Sequence, residues 1–348
     1  MSDVVAVTVD AFDHPLAEPF EISLGTQREA SSVLVTVETE AGVTGHGEGS
    51  PLPPVTGETQ AAAVETVRGV AGLIKGRDVA DYRELVSDVR AAVPGAVSAL
   101  FAVETAILDA YCREVDLPLS ALFGGPPEPV TTDMTIPILT PERAAERATE
   151  AVSAGYDHLK IKTGSDVAED AERVRAVARV APDASLKVDA NQGWTVKETG
   201  RFADQMAESG VSLELIEQPV PASDVAGLAR VRERVGVPIA ADEAVFSPAD
   251  ASRIVREGAA DVINAKLGKS GPLAVADIAA IAEAADLELM VGCMLESAVG
   301  IHTSAHVVAG LGGFDYVDLD GNRLLAADVV EDGGPVHSIA GPGHGVTP

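Results

Sequence analysis

From residue 132 onward the chain repeats one unit. Short apolar stretches built from Val, Ile, Leu and Ala alternate with amphipathic segments of helical period, and one stretch follows another at intervals of about 25 residues. Eight such stretches occur, at 132–139, 158–163, 186–191, 214–219, 239–245, 262–267, 287–294 and 315–320. Helical patterns fill the gaps at 141–154, 167–180, 197–208, 223–235, 248–257, 272–285 and 298–309. Thr140 before Pro141 and Ser247 before Pro248 each give an N-cap followed by proline at the first helical position. Parallel strands need long, usually helical, crossovers, and eight strand–helix units close into a (β/α)8-type barrel. We therefore expect an α/β barrel over residues 132–321.

Residues 1–131 have another grammar. Strands are expected at 4–9, 32–38 and 43–48, with a tight turn at Glu40-Ala41-Gly42, and helices at 59–74, 82–92 and 97–114. This is an α+β capping domain. Its segments 20–30 and 47–59 are rich in polar and turn-forming residues and are expected to close over the barrel mouth. After Asp320 the chain is strand-poor and rich in Gly and Pro, so residues 322–348 are expected to return to the cap.

Chemistry on a barrel of this kind lies at the C-terminal strand ends, and there the sequence places charge. Asp189, Glu217 and Asp242 close three successive apolar stretches, 28 and 25 residues apart. A carboxylate there is costly to desolvate unless something neutralises it. Three converging carboxylates favour a hard cation with oxygen ligands, Mg²⁺ above all. Lysines stand on both sides in sequence: Lys160 and Lys162 on the second stretch, Lys266 on the sixth. Alternation puts Lys160 and Lys162 on one face, where two ammonium groups should lower the pKa of at least one and make it a usable base. Acids that hold a metal between lysines describe a site that forms and stabilises a carbanion. By the same alternation Glu243 should point away from Asp242. Lys187 is read as a supporting residue and Lys269 as a loop contact.

The charge balance excludes other functions. Asp and Glu number 54 against 25 Lys and Arg, a formal net charge of −29. Such a surface disfavours nucleic acid, whose phosphates need basic partners. The acids are spread along the chain, and only seven residues are lysine. This pattern suits a halophilic protein in a saline cytosol, where salt screens self-repulsion. No run approaches the ~20 apolar residues of a membrane span, the N-terminal Met-Ser-Asp-Val-Val lacks a basic segment, and Cys112 and Cys293 are far apart. A cytoplasmic location without structural disulfides is expected. His302 and His306, spaced i, i+4, have no intervening acid of the kind a zinc protease needs and are read as structural.

Five motifs together carry a resemblance: Lys160-Ile161-Lys162, Asp189-Ala190-Asn191, Glu217-Gln218-Pro219, Asp242-Glu243 and Lys266-Leu267-Gly268-Lys269-Ser270-Gly271. The chain resembles the enolase superfamily in its muconate-lactonising-enzyme subgroup. The resemblance implies the modified barrel of that superfamily and one Mg²⁺ per subunit on Asp189, Glu217 and Asp242. It implies general acid/base chemistry by Lys162 and Lys266, with Lys160 tuning Lys162 and stabilising an enediolate oxyanion. Asp318-Leu319-Asp320 resembles the Asp-x-Asp signature of dipeptide epimerases, where two carboxylates hold the substrate's α-ammonium. Gly292-Cys293-Met294-Leu295-Glu296-Ser297 is similar to the same group. Thr135, Asn191 and Glu296 complete the expected substrate environment. Where family members acting on Ala-Glu carry a cap-loop arginine, this chain has Leu24, with Arg28 a few residues on as a substitute. An apolar or uncharged second side chain is therefore favoured over Glu. The implied function is epimerisation of a dipeptide at the C-terminal residue's α-carbon by two-base 1,1-proton transfer. Alternatives are an o-succinylbenzoate synthase or cycloisomerase of the same subgroup, and a non-catalytic metal-binding barrel. The expected associations are a small dipeptide and other copies of the chain, with neither nucleic acid nor membrane.

The charge density makes one prediction independent of the site. Molar KCl shortens the screening length to about 3 Å, so Tm should rise steeply from low to molar salt. A flat curve would leave an ordinary acidic protein.

Overall fold

The computed structural model describes residues 1–330 and 333–348; residues 331 and 332, inside the expected C-terminal return, lie outside the described residues. The chain opens with an antiparallel sheet of β1 (Val4–Ile22), β2 (Gly25–Thr39) and β3 (Thr44–Gly49), in that order. β1 runs well beyond the expected 4–9. Pro15 and Pro19 argue against a strand, because proline cannot donate to a ladder. β1 is an edge strand, however, and its register shifts between Pro15 and Phe20, which accommodates both. The expected loop at 20–30 is thus the tip of a long hairpin.

β3 reads Thr-Gly-His-Gly-Glu-Gly, with glycine at every second position. Those glycines face the helix Val97–Glu114, of whose 18 residues 14 are buried. A Cβ on Gly45, Gly47 or Gly49 would collide with the backbone of Ala110, Ala102 or Ser98 respectively. The strand lies directly on the helix backbone, and only glycine permits that approach.

β4 (Val130–Thr131) leads into the barrel. Its strands are β5 (Met134–Ile136), β6 (His158–Lys162), β7 (Ser185–Asp189), β8 (Leu215–Glu217), β9 (Ile239–Ala241), β10 (Val262–Asn264), β11 (Glu288–Gly292) and β12 (Tyr316–Asp318), all parallel and in sequence order around one sheet. The ends meet where the Asp133 amide donates to the Val317 carbonyl at 3.2 Å and the Leu319 amide to Thr132 Oγ1 at 2.7 Å. The helices Val167–Val180 and Pro248–Glu257 begin and end where the sequence places them. Thr140 and Ser247 cap their helices as expected, accepting from the Arg143 and Asp250 amides. β7 and β8 end earlier than expected because the backbone turns sharply at their tips: Asn191, Gln192 and Gln218 are left-handed, with φ of 38°, 70° and 33°.

The C-terminal segment returns toward the cap. β13 (Val336–His337) pairs with β4, Gly343 bridges to Pro118, and the His344 amide donates to Asp109 at 2.9 Å. Among the described residues no helix is long and apolar enough to cross a membrane.

Gly47→Ala tests the strand–helix contact. Overpacking against a rigid backbone should destabilise the protein by about 2 kcal/mol, read as a lower midpoint in denaturant. An unchanged midpoint would mean that the cap relaxes freely.

Candidate active site

Five of the seven lysines, Lys160, Lys162, Lys187, Lys266 and Lys269, are buried. A buried ammonium is stable only against carboxylates, and all but one of the five converge on the barrel's C-terminal end. Asp189, Glu217 and Asp242 are each no more than 1% exposed, and their oxygens lie within 4.8 Å of one another. Lys160 Nζ stands 3.0 Å from Asp189, 2.7 Å from Glu217 and 2.6 Å from Asp318. Lys162 pairs with Asp189 at 2.7 Å. Lys266 and Lys269 pair with Asp242 at 3.1 and 2.6 Å. Lys187 instead pairs with Asp133, at 2.5 Å, deeper in the barrel.

The acids are aimed by neutral neighbours. Asn264 donates to Glu217 at 2.7 Å. The Asn191 amide donates to Asp189 at 2.8 Å. Gln218 Oε1 accepts from the amides of Asp242 and Ala244 at 2.9 and 3.1 Å, which fixes the turn carrying Asp242 just past β9. Burial resists the charge on Asp189 and Asp242, yet Lys160 and Lys162 in one case, and Lys266 and Lys269 in the other, hold both below the ordinary carboxylate range. Glu217 is pushed up to about 7 by burial and by Asp189. Three buried carboxylates that offer only oxygen donors, all within 4.8 Å of one another, fit a hard divalent cation.

Some expectations need correction. Lys160 does not lower its pKa through Lys162. Burial works against its ammonium, but Asp189, Asp318 and Glu217 outweigh that and raise it well above the ordinary value. Lys266 is likewise raised, because Asp242 overcomes the cost of burial. Lys269 is no loop contact but a fully buried partner of Asp242; it also donates to the Asp242 and Asn264 carbonyls, and burial lowers its pKa. Glu243 does not point away. Strand alternation ends at Ala241, so Glu243 turns into the same cavity, where Asn191 Nδ2 donates to it at 3.1 Å.

A cavity opens above the acids, between barrel and cap. Lys160, Lys162 and Lys266 line it, with Asp318, Asp320, Thr135 and Asn191. Asp318 accepts from Lys160 and from the Thr135 hydroxyl at 3.4 Å, and Asp320 from the Thr135 amide at 2.5 Å. Lys160 holds Asp318 low against burial, whereas burial and Asp318 raise Asp320 to about 6. The cap end is apolar: Phe20 and Ile22 from the hairpin tip and Leu52 and Val55 from residues 47–59, opposite Leu295 and Leu324.

Leu24 and Arg28 are not in that wall. Leu24 packs half-buried beside the cluster of Phe20, Ile22, Leu295 and Leu324. Arg28 is exposed. Gln27 faces the cavity, and the next residue on a strand faces away. Gln27 and Asn264 were missed in the sequence, and Gln218, seen there only as part of a motif, was given no role. Glu296 also lies outside the lining; it is buried behind Lys266, accepts from the Met294 amide at 3.1 Å, and is pushed up to about 8 by burial and Glu48. His306 accepts from the Ser120 amide at 3.3 Å, away from this site.

Comparison with known proteins agrees with this geometry. Residues 4–124 match the mandelate racemase / muconate lactonizing enzyme N-terminal domain, and residues 143–348 the enolase C-terminal domain-like family. The chain is 39% identical to an aromatic dipeptide epimerase of Herpetosiphon aurantiacus, over 99% of this chain and 98% of that protein. It is 35% identical to the L-Ala-D/L-Glu epimerase of Bacillus subtilis, over 99% and 96%. A dipeptide epimerase of Enterococcus faecalis, solved with Mg and L-Leu-L-Tyr, superposes with a TM-score of 0.93 at 35% identity over the full length of both chains.

The acid cluster can be tested by binding alone. Mg²⁺ at 100 times its Kd should stabilise the protein by about 2.7 kcal/mol. Asn264→Ala, which frees one Glu217 oxygen, should weaken Mg²⁺ binding by about 10- to 100-fold in calorimetry. Equal affinity in wild type and in Glu217→Gln would remove Glu217 from the ligand set.

Proposed function

The chain belongs to the mandelate racemase / muconate lactonizing enzyme family of the enolase superfamily, and from that premise we propose that it epimerises dipeptides at the α-carbon of the C-terminal residue. The observation that carries the reading is the placement of two lysines. Lys162 ends the second of eight barrel strands, Lys266 follows the sixth, and both line one cavity. A substrate α-carbon between them meets one amine on each face.

Asp189, Glu217 and Asp242 would hold Mg²⁺, which would supply positive charge at the substrate carboxylate, acidify the α-hydrogen and offset the carboxylate charge that favours the ammonium form of the lysines. The residues do the rest. The neutral Nζ of one lysine takes the α-proton, and the C–H electron pair moves into the carboxylate as an enediolate. The ammonium of the other lysine returns a proton to the opposite face, which inverts the centre and exchanges the roles of the two bases. Lys160, between Asp189, Glu217 and Asp318, adds a fixed positive charge beside the developing oxyanion. Asp318 and Asp320 receive the α-ammonium of the N-terminal residue. Cycloisomerases and succinylbenzoate synthases have no ammonium to hold, so this carboxylate pair favours the dipeptide reading.

The apolar cap end sets the side chain. Among the described residues lining the cavity, the cations are Lys160, Lys162 and Lys266, all committed to the acids below. A glutamate side chain would have no partner beside Phe20, Ile22, Leu52 and Val55, and Gln27 offers only a neutral amide. With Mg²⁺ present, kcat/KM for Ala-Phe or Ala-Leu should exceed that for Ala-Glu by about 100-fold, equivalent to about 2.7 kcal/mol for an unpaired carboxylate. N-acetylated dipeptides should not turn over. A preference for Ala-Glu would overturn the substrate class, and turnover of N-acetylated dipeptides the role of Asp318 and Asp320.

A further inference from the structure

The two lysines are anchored differently. Lys162 is the last residue of β6 and pairs in register with Asp189 of β7. The next amide, of Thr163, donates to the Asp189 carbonyl at 2.8 Å, and the Lys162 carbonyl accepts from Arg173 at 3.2 Å. The barrel itself fixes Lys162. Lys266 lies two residues past β10, and the last ladder bond on its side runs from the Ala265 amide to the Met290 carbonyl at 2.8 Å. It precedes a one-turn helix, Leu267–Ser270, and its backbone position follows that turn.

The cap grips the turn from outside. Glu104, fully buried on the helix Val97–Glu114, accepts from the Leu273 amide at 2.6 Å, at the start of the helix Pro272–Ala284. Arg90, on the cap helix Tyr82–Ala92, donates to the Ser270 carbonyl at 2.9 Å and to Glu104 at 3.2 Å. Gly271 between them has φ of +81°, and a Cβ there would collide with the Glu104 carboxylate. From inside, Lys269 ties the same turn to Asp242 at 2.6 Å, and the Ser270 hydroxyl donates to the Phe246 carbonyl at 3.1 Å.

We propose that Glu104 and Arg90 are positioning residues for Lys266: the cap sets the reach of the base on one face of the substrate, while the base on the other face is held within the barrel's own strand ladder. The proposal rests on the two-lysine reading above. A shift of about 1 Å in a reacting group costs about 100-fold in rate, so a loosened turn should impair one proton transfer selectively. A merely structural role for Glu104 would weaken both faces together.

The test measures α-deuterium uptake from D₂O separately in the two epimers of Ala-Phe, with the Mg²⁺-loaded protein and with Lys266→Ala as reference. Glu104→Ala and Arg90→Met should slow uptake by about 10- to 100-fold in the epimer that Lys266→Ala silences, and leave the other within about 3-fold of wild type. Glu104→Gln keeps a carbonyl acceptor for the Leu273 amide and should restore most of the lost rate. Arg90 is partly exposed, so Arg90→Met carries the test if Glu104→Ala does not fold. Equal losses in both epimers, or no loss in any variant, would overturn the proposal while leaving the two-lysine reading intact. Wild-type uptake in both epimers of Lys266→Ala would overturn that reading, and the proposal with it.

Discussion

The structure depends on a concentration of buried charge at one end of a barrel. Asp189, Glu217, Asp242, Asp318 and Asp320 are within 4% of full burial, and burial alone would protonate all of them. Lys160 opposes this by standing between three of the five, while Lys162, Lys266 and Lys269 hold the rims. A network of this kind is weak evidence for stability, since buried ion pairs often fail to recover their desolvation cost. The use we propose for it is chemical: preorganised charge in a site shielded from water acts strongly on a developing carbanion. Neutral donors such as Asn264 and Gln218 keep each carboxylate aimed, which charge alone cannot do.

The cap completes the site in two ways. Its hairpin tip and its 47–59 segment supply the apolar wall above the acids. Its helix packing is tight enough to demand glycine at alternate positions of β3, and that same helix presents Glu104 to the turn behind Lys266. In the proposed reaction, substrate selection and the placement of one base would both draw on the cap.

Much of this was legible in the sequence, for physical reasons. The eight strands announced themselves through apolar stretches at regular spacing, and acids at their ends are too costly to be accidental. Scarce surface lysine made Lys160, Lys162 and Lys266 conspicuous. Other features depended on tertiary context. β1 hid behind two prolines that only an edge strand tolerates. Arg28 looked suited to a substrate carboxylate, but strand parity gives that wall to Gln27. Glu243 was misassigned because alternation was carried past Ala241, where β9 ends, and Lys269 because the residues after β10 were read as a loop and not as the one-turn helix that brings it to Asp242. The raised ammonium of Lys160 was not foreseen for lack of Asp318, which is distant in sequence and 2.6 Å away in space.

The central claim is that two lysines address opposite faces of one α-carbon. Its most direct test is α-hydrogen exchange in Lys162→Ala and Lys266→Ala, each followed in the L,L and L,D epimers of an apolar dipeptide. The account predicts complementary losses: each variant silences exchange in one epimer and retains it in the other, and neither interconverts them. Loss of both exchanges in both variants, with Mg²⁺ and dipeptide still bound, would contradict it.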